Sequence, residues 1–298
     1  MSPWISAARP RTLPLALSSI LMGCFLAYSH HVFSWSIAIL ACLTTILLQV
    51  LSNFANDYGD TVNGKDTDAR QGPTRAVQSG AITPQAMKKV MFVFAILSFI
   101  SGTALLYEAL KDATWQIFAT FFGLGVLAII AAITYTAGKK PYGYVGLGDL
   151  SVLIFFGWVG VLGTYYLHTE QLDWYILLPA TSCGLFAVAV LNVNNVRDIE
   201  SDTITGKRSI PVRLGRKKAE TYHWILLITG MLSSVVYFLM SNPSFVQALF
   251  LFSYPLFIIN GIAILTKRTA KELDPYLKQM ALSTLLFVLL FGIGLILK

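Results

Sequence analysis

An all-α, polytopic membrane fold is predicted for this chain by its composition, by the length of its apolar segments and by the placement of its basic residues. Hydrophobic residues make up 55% of the 298 residues and charged residues 12%, whereas charged residues are roughly a quarter of a typical soluble domain. The sequence therefore predicts one membrane domain over residues 1–298 that crosses the bilayer nine times.

Each crossing needs about 20 apolar residues, and the predicted spans follow one another with short polar loops between them. Thr83 followed by Pro84 is typical of a helix start before the third span, and Asn242-Pro243 separates the seventh span from the eighth. The apolar run after Arg11 lacks the small-residue cleavage site of a secretory signal, so it is taken as the first span. The predicted boundaries are 12 to 29, 33 to 55, 87 to 109, 114 to 136, 147 to 167, 174 to 195, 221 to 241, 244 to 266 and 277 to 297.

Basic residues predict the orientation of these spans. The N-terminus and the loops after spans two, four, six and eight contain 20 of the 22 Lys and Arg residues, and only Lys111 and Lys298 fall on the other side. Because Lys and Arg are enriched in cytoplasmic loops, we expect a protein of the inner (cytoplasmic) membrane with a cytoplasmic N-terminus and an external C-terminus. The basic residues are scattered among the loops and form no single stripe, so no nucleic-acid partner is expected.

A polar stretch over residues 53–75 follows the second span and contains the first candidate site. Its amide and acidic residues are spaced i, i+3, i+4 and i+7, which places them on one face if the helix continues. Acidic groups at the end of an apolar helix are costly without a cation among them, so a divalent metal is indicated. The candidate ligands are Asn53, Asn56, Asp57 and Asp60.

A second polar stretch over residues 192–208 repeats the first after 142 positions, so that Asp60 aligns with Asp202 and Lys65 with Lys207. Asp198 and Asp202 extend the set of candidate metal ligands, together with Asn194 or Asn195. Since four spans separate the two stretches, both are predicted on the cytoplasmic face. The spacing favours parallel four-helix repeats at about 12–136 and 147–266, followed by a ninth helix at 277–297.

Two acidic clusters, each followed by Gly-Lys and further basic residues, are suited to a diphosphate held by Mg²⁺, with Arg and Lys binding the remaining phosphate charge. Solvated helix ends capped by Asn and Asp are the simpler explanation for either cluster alone. A diphosphate at the surface of an apolar bundle implies a lipid diphosphate, and Tyr135 is the aromatic candidate for stabilising an allylic cation. The basic candidates are Lys65, Arg197, Lys207 and Arg208, with Lys139 and Lys140 from the loop after the fourth span.

These motifs resemble the UbiA superfamily of intramembrane prenyltransferases, whose motifs are Asn-x-x-x-Asp-x-x-x-Asp and Asp-x-x-x-Asp. Asn56 and Asp60 match the first motif and Asp198 and Asp202 the second, but Gly64 replaces the last Asp of the first motif. That ligand is either absent or replaced by Asp66 or Asp68. Residues 7–14, 56–60, 70–75, 141–144, 146–149 and 163–166 resemble the branch of 1,4-dihydroxy-2-naphthoate prenyltransferases.

The resemblance implies nine helices around a central cavity open to the cytoplasmic side, dependence on Mg²⁺, and attack of an aromatic acceptor on an allylic cation. In this branch the dihydroxynaphthoate acceptor loses its carboxylate as the prenyl chain is installed, giving demethylmenaquinone. Asp60, Asp198, Asp202 and Tyr135 would be catalytic, and the tail of the polyprenyl diphosphate would enter the helical bundle. The acceptor carboxylate needs a cationic partner, for which the candidates are Arg70, Arg75, Lys139 and Lys140.

Two alternatives fit the same residues. The acceptor could be another aromatic acid such as 4-hydroxybenzoate. Outside the enzymes, an ion-coupled secondary transporter could use the acidic groups and the repeats, although a transporter is expected to place its ionisable groups near the membrane midplane.

Overall fold

The computed structural model describes residues 2–66, 74–241 and 244–297. Within these ranges the chain is helical, and nine helical stretches are long and apolar enough to cross a membrane, which confirms the predicted fold class. We number the stretches α1 to α9 in chain order. They are Pro3–Ser29, Trp35–Val62, Pro84–Ala109, Trp115–Thr134, Gly148–Thr169, Trp174–Arg197, Arg216–Met240, Phe245–Thr266 and Ala270–Ile296.

Four of these stretches are irregular. A residue with positive φ, Arg9 at 49°, breaks α1 into Pro3–Ala8, a 3₁₀ turn at Pro10–Thr12 and the helix Leu13–Ser29. The middle of α5, Leu153–Gly163, has the wider turns of a π-helix, a feature often found at functional sites. Helices α6 and α8 open with 3₁₀ segments at Trp174–Ile176 and Phe245–Ser253, and shorter helices lie in the loops at Tyr142–Val145, Ile199–Ile204 and Ile210–Leu214.

Several helices extend beyond their predicted ends because their polar turns pack against protein. Helix α2 continues to Val62, whereas its span was predicted to end at 55, so Asp60 lies within the helix. Helix α3 begins at Pro84 as predicted, and the Thr83 side chain accepts a hydrogen bond from the backbone N–H of Ala86 at 3.2 Å. Helix α9 begins at Ala270, seven residues before its predicted start, behind a capping box formed by Thr269.

The helices pack around α6, which has the largest buried share of the nine spans. On one side of α6, Phe186 stacks on Phe257 of α8 with ring centroids 4.1 Å apart, at the centre of the main apolar cluster. On the other side a cavity opens between α1, α2, α3, α4, α5 and α6. None of the twenty described residues of α4 is buried, so this helix forms the thin outer wall of the cavity.

Candidate functional site

The cavity has a volume of about 1010 Å³ and is lined mainly by apolar side chains. Most of its charged residues come from the ends of α2 and α6 and from the loops that follow them, so both acidic stretches meet at the same cavity. Asp60 comes from the first stretch and Asp198 and Asp202 from the second, with the amide side chains of Asn56, Asn194 and Asn195 beside them in the lining.

The end of the cavity that carries these acidic residues is called the polar end below. Asp60 is the least exposed of the carboxylates that line the cavity, with 2% of its surface exposed. One of its oxygens, Oδ1, accepts a hydrogen bond from the Tyr144 hydroxyl at 2.6 Å and lies 3.2 Å from the Lys207 ammonium. The other oxygen, Oδ2, accepts a hydrogen bond from the Arg75 guanidinium. The charge of Asp60 is therefore compensated by two cations and a phenol from separate loops.

Lys207 joins the two acidic stretches directly. Its ammonium lies 3.2 Å from Asp60 and 3.9 Å from Asp202, so a single positive charge sits between carboxylates that are far apart in sequence. Lys65, the residue that aligns with Lys207 in the repeat, donates to the carbonyl of Thr205 in the opposite loop. Both ammonium groups lie over the ring of Tyr144, 5.6 and 5.3 Å from its centroid, within the range of cation–π attraction.

The same backbone turn positions both lysines. The N–H of Lys65 donates to the Asp60 carbonyl at 2.7 Å, and the N–H of Lys207 donates to the Asp202 carbonyl at 2.8 Å. In each turn a glycine with positive φ precedes the lysine, 65° at Gly64 and 72° at Gly206. This is the Schellman termination of a helix, and it explains why a glycine stands where the family motif has an acidic residue.

Arg75 lines the same end of the cavity, and 9% of its surface is exposed. Its Nε lies 3.0 Å from Oδ1 of Asp66, whose Oδ2 accepts a hydrogen bond from Thr61 at 3.1 Å. Burial lowers the pKa of Arg75, but the carboxylates of Asp60, Asp66 and Asp57 outweigh burial and raise that pKa above its usual value. Asp66 thus holds Arg75 and does not line the cavity.

Two predicted metal ligands from α2, Asp57 and Asn53, make structural contacts, and of these two Asn53 also lines the cavity. Both carboxylate oxygens of Asp57 accept backbone N–H groups, from Ala76 at 3.1 Å and Val77 at 2.9 Å, and Asp57 lies outside the cavity lining. The Asn53 amide donates to the Ala8 carbonyl at 2.8 Å and to Thr12 at 3.0 Å. Asp57 therefore shapes the turn that carries Arg75, and Asn53 fastens the broken start of α1 to α2.

Arg197 was predicted near a diphosphate, but it lies behind Asp198. Its guanidinium donates two hydrogen bonds of 2.8 Å to the Asp198 carboxylate, one of 2.6 Å to Asp274 at the start of α9, and one of 2.9 Å to Asn194. The geometry fixes the orientation of Asp198 and ties α6 to α9. Arg197 does not line the cavity.

The remaining predicted residues are distributed unevenly. Lys139, Lys140 and Arg208 are exposed and do not line the cavity. Tyr135 lines it, and its ring fits a slot made by two glycines: a Cβ on Gly143 would lie 3.0 Å from the ring, and a Cβ on Gly148 would lie 2.7 Å from the hydroxyl. Arg70 and Asp68 lie outside the described residues.

The chemistry of the donors fits a hard cation. Carboxylate and amide oxygens are the ligands that Mg²⁺ prefers, and the contact of Lys207 with both Asp60 and Asp202 places positive charge between the two stretches. Over residues 2–66, 74–241 and 244–297, however, no group of three His, Cys, Asp or Glu side chains forms a ready metal site. Mg²⁺ commonly completes its shell with substrate oxygens and water, so two or three protein oxygens suffice.

Sequence reasoning missed two polar residues of the site. Tyr144 was noted only as part of a motif, yet burial and the charge of Asp60 raise the pKa of its phenol, so it remains a protonated donor to Asp60. Arg9 was used only to orient the chain, yet it lines the cavity at the break in α1. The Pro10 that follows Arg9 was a signal for such a break.

The sequence of this chain is similar to those of known proteins. The sequence profile of the UbiA prenyltransferase family matches residues 16–285. The 1,4-dihydroxy-2-naphthoate octaprenyltransferase of Haemophilus influenzae is 49% identical over 98% of this chain and 95% of its own length. The enzyme of the same name from Escherichia coli is 45% identical over 99% and 95% of the two chains.

A solved structure has the same fold at low sequence identity. It is a UbiA homologue from Archaeoglobus fulgidus bound to DMAPP and Mg²⁺, with a TM-score of 0.61 and 16% identity over 99% of both chains. The resemblance inferred from the motifs is confirmed by the family match and by the two bacterial relatives. This chain is a membrane-embedded enzyme that belongs to the UbiA prenyltransferase family.

Proposed function

We propose that this enzyme transfers a polyprenyl group from an allylic polyprenyl diphosphate to 1,4-dihydroxy-2-naphthoate, with loss of the acceptor carboxylate, in menaquinone biosynthesis. The observation that carries the proposal is the convergence of Asp60, Asp198 and Asp202 with Lys65 and Lys207 at the polar end of a long apolar cavity. That combination suits a substrate with a diphosphate head and a hydrocarbon tail. The names of the two bacterial relatives support the choice of acceptor.

The diphosphate would bind at the polar end, where Lys65, Arg75, Lys207 and Arg9 supply cations to the cavity lining. Lys207 and Arg75 are held by Asp60, so their charges are already directed to this end of the cavity. Charge-assisted hydrogen bonds from Lys and Arg are the usual means of holding phosphate oxygens. The isoprenoid tail would extend between α4 and α5 toward the lipid.

Asp60, Asp198 and Asp202, with Asn56, Asn194 or Asn195, would hold Mg²⁺, and the fold neighbour solved with DMAPP and Mg²⁺ supports a metal in this fold. When bound, Mg²⁺ would stabilise the negative charge that develops on the departing diphosphate. Arg197 keeps Asp198 oriented for this role. Asp57 is left out of the set, because its two oxygens are engaged with the backbone.

Prenyl transfer then requires three changes in bonding. The allylic C–O bond breaks and the diphosphate leaves with the electron pair. A ring carbon of the acceptor forms the new C–C bond, and the carboxylate leaves as CO₂ while its bonding electrons return to the ring. The apolar walls exclude water from the allylic cation, and the Tyr135 ring is placed by Gly143 and Gly148 at the polar end, where an aromatic face can stabilise that cation.

We also propose that the polar end faces the cytoplasm of a cell whose inner membrane contains the enzyme. The support is the distribution of charge, since 20 of 22 Lys and Arg residues fall on this side of the nine spans. Both substrates would then meet the enzyme from the cytoplasmic side, the diphosphate as part of a lipid and the acceptor from solution.

The test is a product assay with the purified enzyme in detergent. Farnesyl diphosphate and 1,4-dihydroxy-2-naphthoate are supplied with Mg²⁺. The prenylated quinol, detected as the quinone after oxidation in air, and the released CO₂ are measured. We expect product only when both substrates and Mg²⁺ are present, and we expect EDTA to abolish activity until Mg²⁺ is restored. An assay with an equal mixture of dihydroxynaphthoate and 4-hydroxybenzoate identifies the preferred acceptor. Preferential prenylation of 4-hydroxybenzoate would overturn the proposed acceptor.

A further inference from the structure

A fourth carboxylate, Asp149, lines the cavity in addition to the three of the acidic motifs. Asp149 lies in the first turn of α5 and has 8% of its surface exposed. The other carboxylates in the described lining are Asp60, Asp198 and Asp202. Asp149 therefore adds a negative charge to the cavity wall. The binding of a diphosphate does not require this charge.

A tyrosine, and no cation, is the partner of this carboxylate. The Tyr222 hydroxyl of α7 donates a hydrogen bond to Asp149 Oδ2 at 2.9 Å. No Lys or Arg of the described ranges lies within 4 Å of Asp149, in contrast to Asp60 and Asp198, which are ion-paired. A carboxylate can accept about four hydrogen bonds, so Asp149 retains capacity for a donor that enters the cavity.

The residue before Asp149, Gly148, packs closely against Tyr135 and α6. A Cβ placed on Gly148 would lie 2.7 Å from the Tyr135 hydroxyl and 3.4 Å from Leu191 of α6. Leu191 precedes Asp198 by seven residues, which is roughly 10 Å along a helix. This part of the cavity wall therefore lies about two turns of α6 away from Asp198, and Asp149 and Tyr135 line the same cavity as the acidic motifs.

The charge of Asp149 determines which ligand groups it accepts. A carboxylate or a diphosphate would be repelled, whereas a hydroxyl donates a hydrogen bond. In an ortho-hydroxy aromatic acid the hydroxyl next to the carboxylate is engaged with that carboxylate, so a second, more distant hydroxyl is the free donor. The cations of the cavity lining, which include Lys65 and Arg75, attract the carboxylate end of the same molecule.

We propose that Asp149 binds the ring hydroxyl of the aromatic acceptor that is not adjacent to the acceptor carboxylate, and that Tyr222 holds Asp149 in position for this contact. The inference rests on the proposed function and adds to it the residue that selects a dihydroxylated acceptor. Asp149 touches the substrate, and Tyr222 is a positioning residue. A purely structural pair that joins α5 to α7 would not distinguish between acceptors.

The experiment compares the binding of two acceptors to the purified enzyme. The first is 1,4-dihydroxy-2-naphthoate, and the second is 1-hydroxy-2-naphthoate, which lacks the distant hydroxyl. For Asp149→Asn we expect binding of the dihydroxy acid to weaken by about 10- to 100-fold, as for a lost hydrogen bond to a charged group. Binding of the monohydroxy acid and the KM for farnesyl diphosphate should change by less than about 3-fold, since neither contact is altered.

Tyr222→Phe should shift the same selectivity in the same direction by a smaller factor, because the carboxylate remains but loses its fixed orientation. The matched control is Asp173→Asn, which removes the charge of a carboxylate that also accepts a hydrogen bond from a tyrosine, Tyr165, at 2.8 Å, at the opposite end of the bundle and outside the cavity lining. This control should leave both acceptors and the diphosphate unaffected.

Each outcome has a distinct meaning. If Asp149→Asn and Tyr222→Phe weaken both acceptors equally, or neither, the inference is overturned while the proposed function stands. If Asp149→Asn fails to elute as a folded protein, Tyr222→Phe decides by the same selectivity ratio. If the unsubstituted enzyme neither binds nor prenylates dihydroxynaphthoate, the proposed function fails, and that result is independent of the variants.

Discussion

Asp60 contacts donors from three loops that are distant in sequence. Arg75 comes from the loop after α2, Tyr144 from the loop between α4 and α5, and Lys207 from the loop after α6. A buried charge without partners is strongly unfavourable, and removing one partner of a buried pair costs about 3–5 kcal/mol. These contacts therefore stabilise the arrangement of the loops as well as the site.

Asp60→Asn tests the catalytic role of this residue. We expect prenyl transfer to fall by about 100-fold or more, because the amide removes an anionic oxygen and leaves Arg75 and Lys207 without their shared partner. The measurement is the rate of product formation by the purified variant over a Mg²⁺ titration. Asp112→Asn, which changes an exposed carboxylate between α3 and α4, is the control. Full activity of Asp60→Asn would remove Asp60 from the metal site.

The two Schellman turns, at the ends of α2 and of the short helix Ile199–Ile204, are the repeated element of the site. They place the ammonium groups of Lys65 and Lys207 over the ring of Tyr144, and each lysine reaches the opposite loop. Gly64 and Gly206 adopt positive φ in these turns, which costs a residue with a side chain roughly 1 kcal/mol or more. The same turn after an interval of 142 residues agrees with the predicted four-helix repeats, which stay a prediction.

Replacing Gly64 or Gly206 with alanine tests the backbone conformation of the turn without introducing a steric clash. Among the residues that the structure describes, a Cβ at Gly64 would meet no atom within 4 Å, and a Cβ at Gly206 would meet only the Lys65 ammonium at 3.9 Å, so we expect any loss to come from positive φ. We expect each variant to be destabilised by about 1 kcal/mol and to require more substrate diphosphate, because its lysine is displaced.

The measurements are thermal unfolding in detergent and the KM for farnesyl diphosphate. Gly123→Ala in α4 is the matched control, because its Cβ also meets no atom within 4 Å but its backbone is helical. Wild-type stability and KM in both turn variants would show that the positive φ values do not position the lysines.

At the scale of the whole molecule, charge and hydropathy divide the protein into a polar end and an apolar body. The main apolar cluster lies on the α7 to α9 side of α6, and the cavity lies on the α2 to α5 side. The half with the cavity has the less buried helices, and α4 in particular has no buried residue among its twenty described positions. The tail of the proposed prenyl substrate would therefore lie where the helices are packed least tightly.

Cysteine labelling tests the orientation of the whole molecule. With a membrane-impermeant thiol reagent, Lys139→Cys should be labelled in inverted vesicles, and Asp112→Cys in intact spheroplasts, because Lys139 lies on the basic side and Asp112 on the other. The unsubstituted chain is the control, since Cys24, Cys42 and Cys183 lie within membrane spans. The opposite labelling pattern would reverse the proposed orientation.

Much of the site was predicted from residue type and spacing alone. Asp60, Asp198 and Asp202 were selected because the same acidic pattern follows two apolar spans at equal intervals, and all three line the cavity. Asp57 was selected by the same helical spacing, yet its oxygens bind the backbone of Ala76 and Val77. Spacing places a side chain on a helix face, but it does not reveal which loop folds over that face.

The sequence by itself determined the nine apolar spans, which the described part of the chain forms as helices, and the two acidic motifs at one end of them, because hydropathy and charge are properties of local segments. Only the tertiary structure decided the partners of each charge: Arg197 reaches Asp274 across 77 residues, and Tyr222 reaches Asp149 across 73. Such contacts depend on the packing of distant helices, and many sequence-compatible partners compete for each polar group. The packing determines which partner each polar group contacts, because a buried polar group needs a hydrogen-bond partner within the fold.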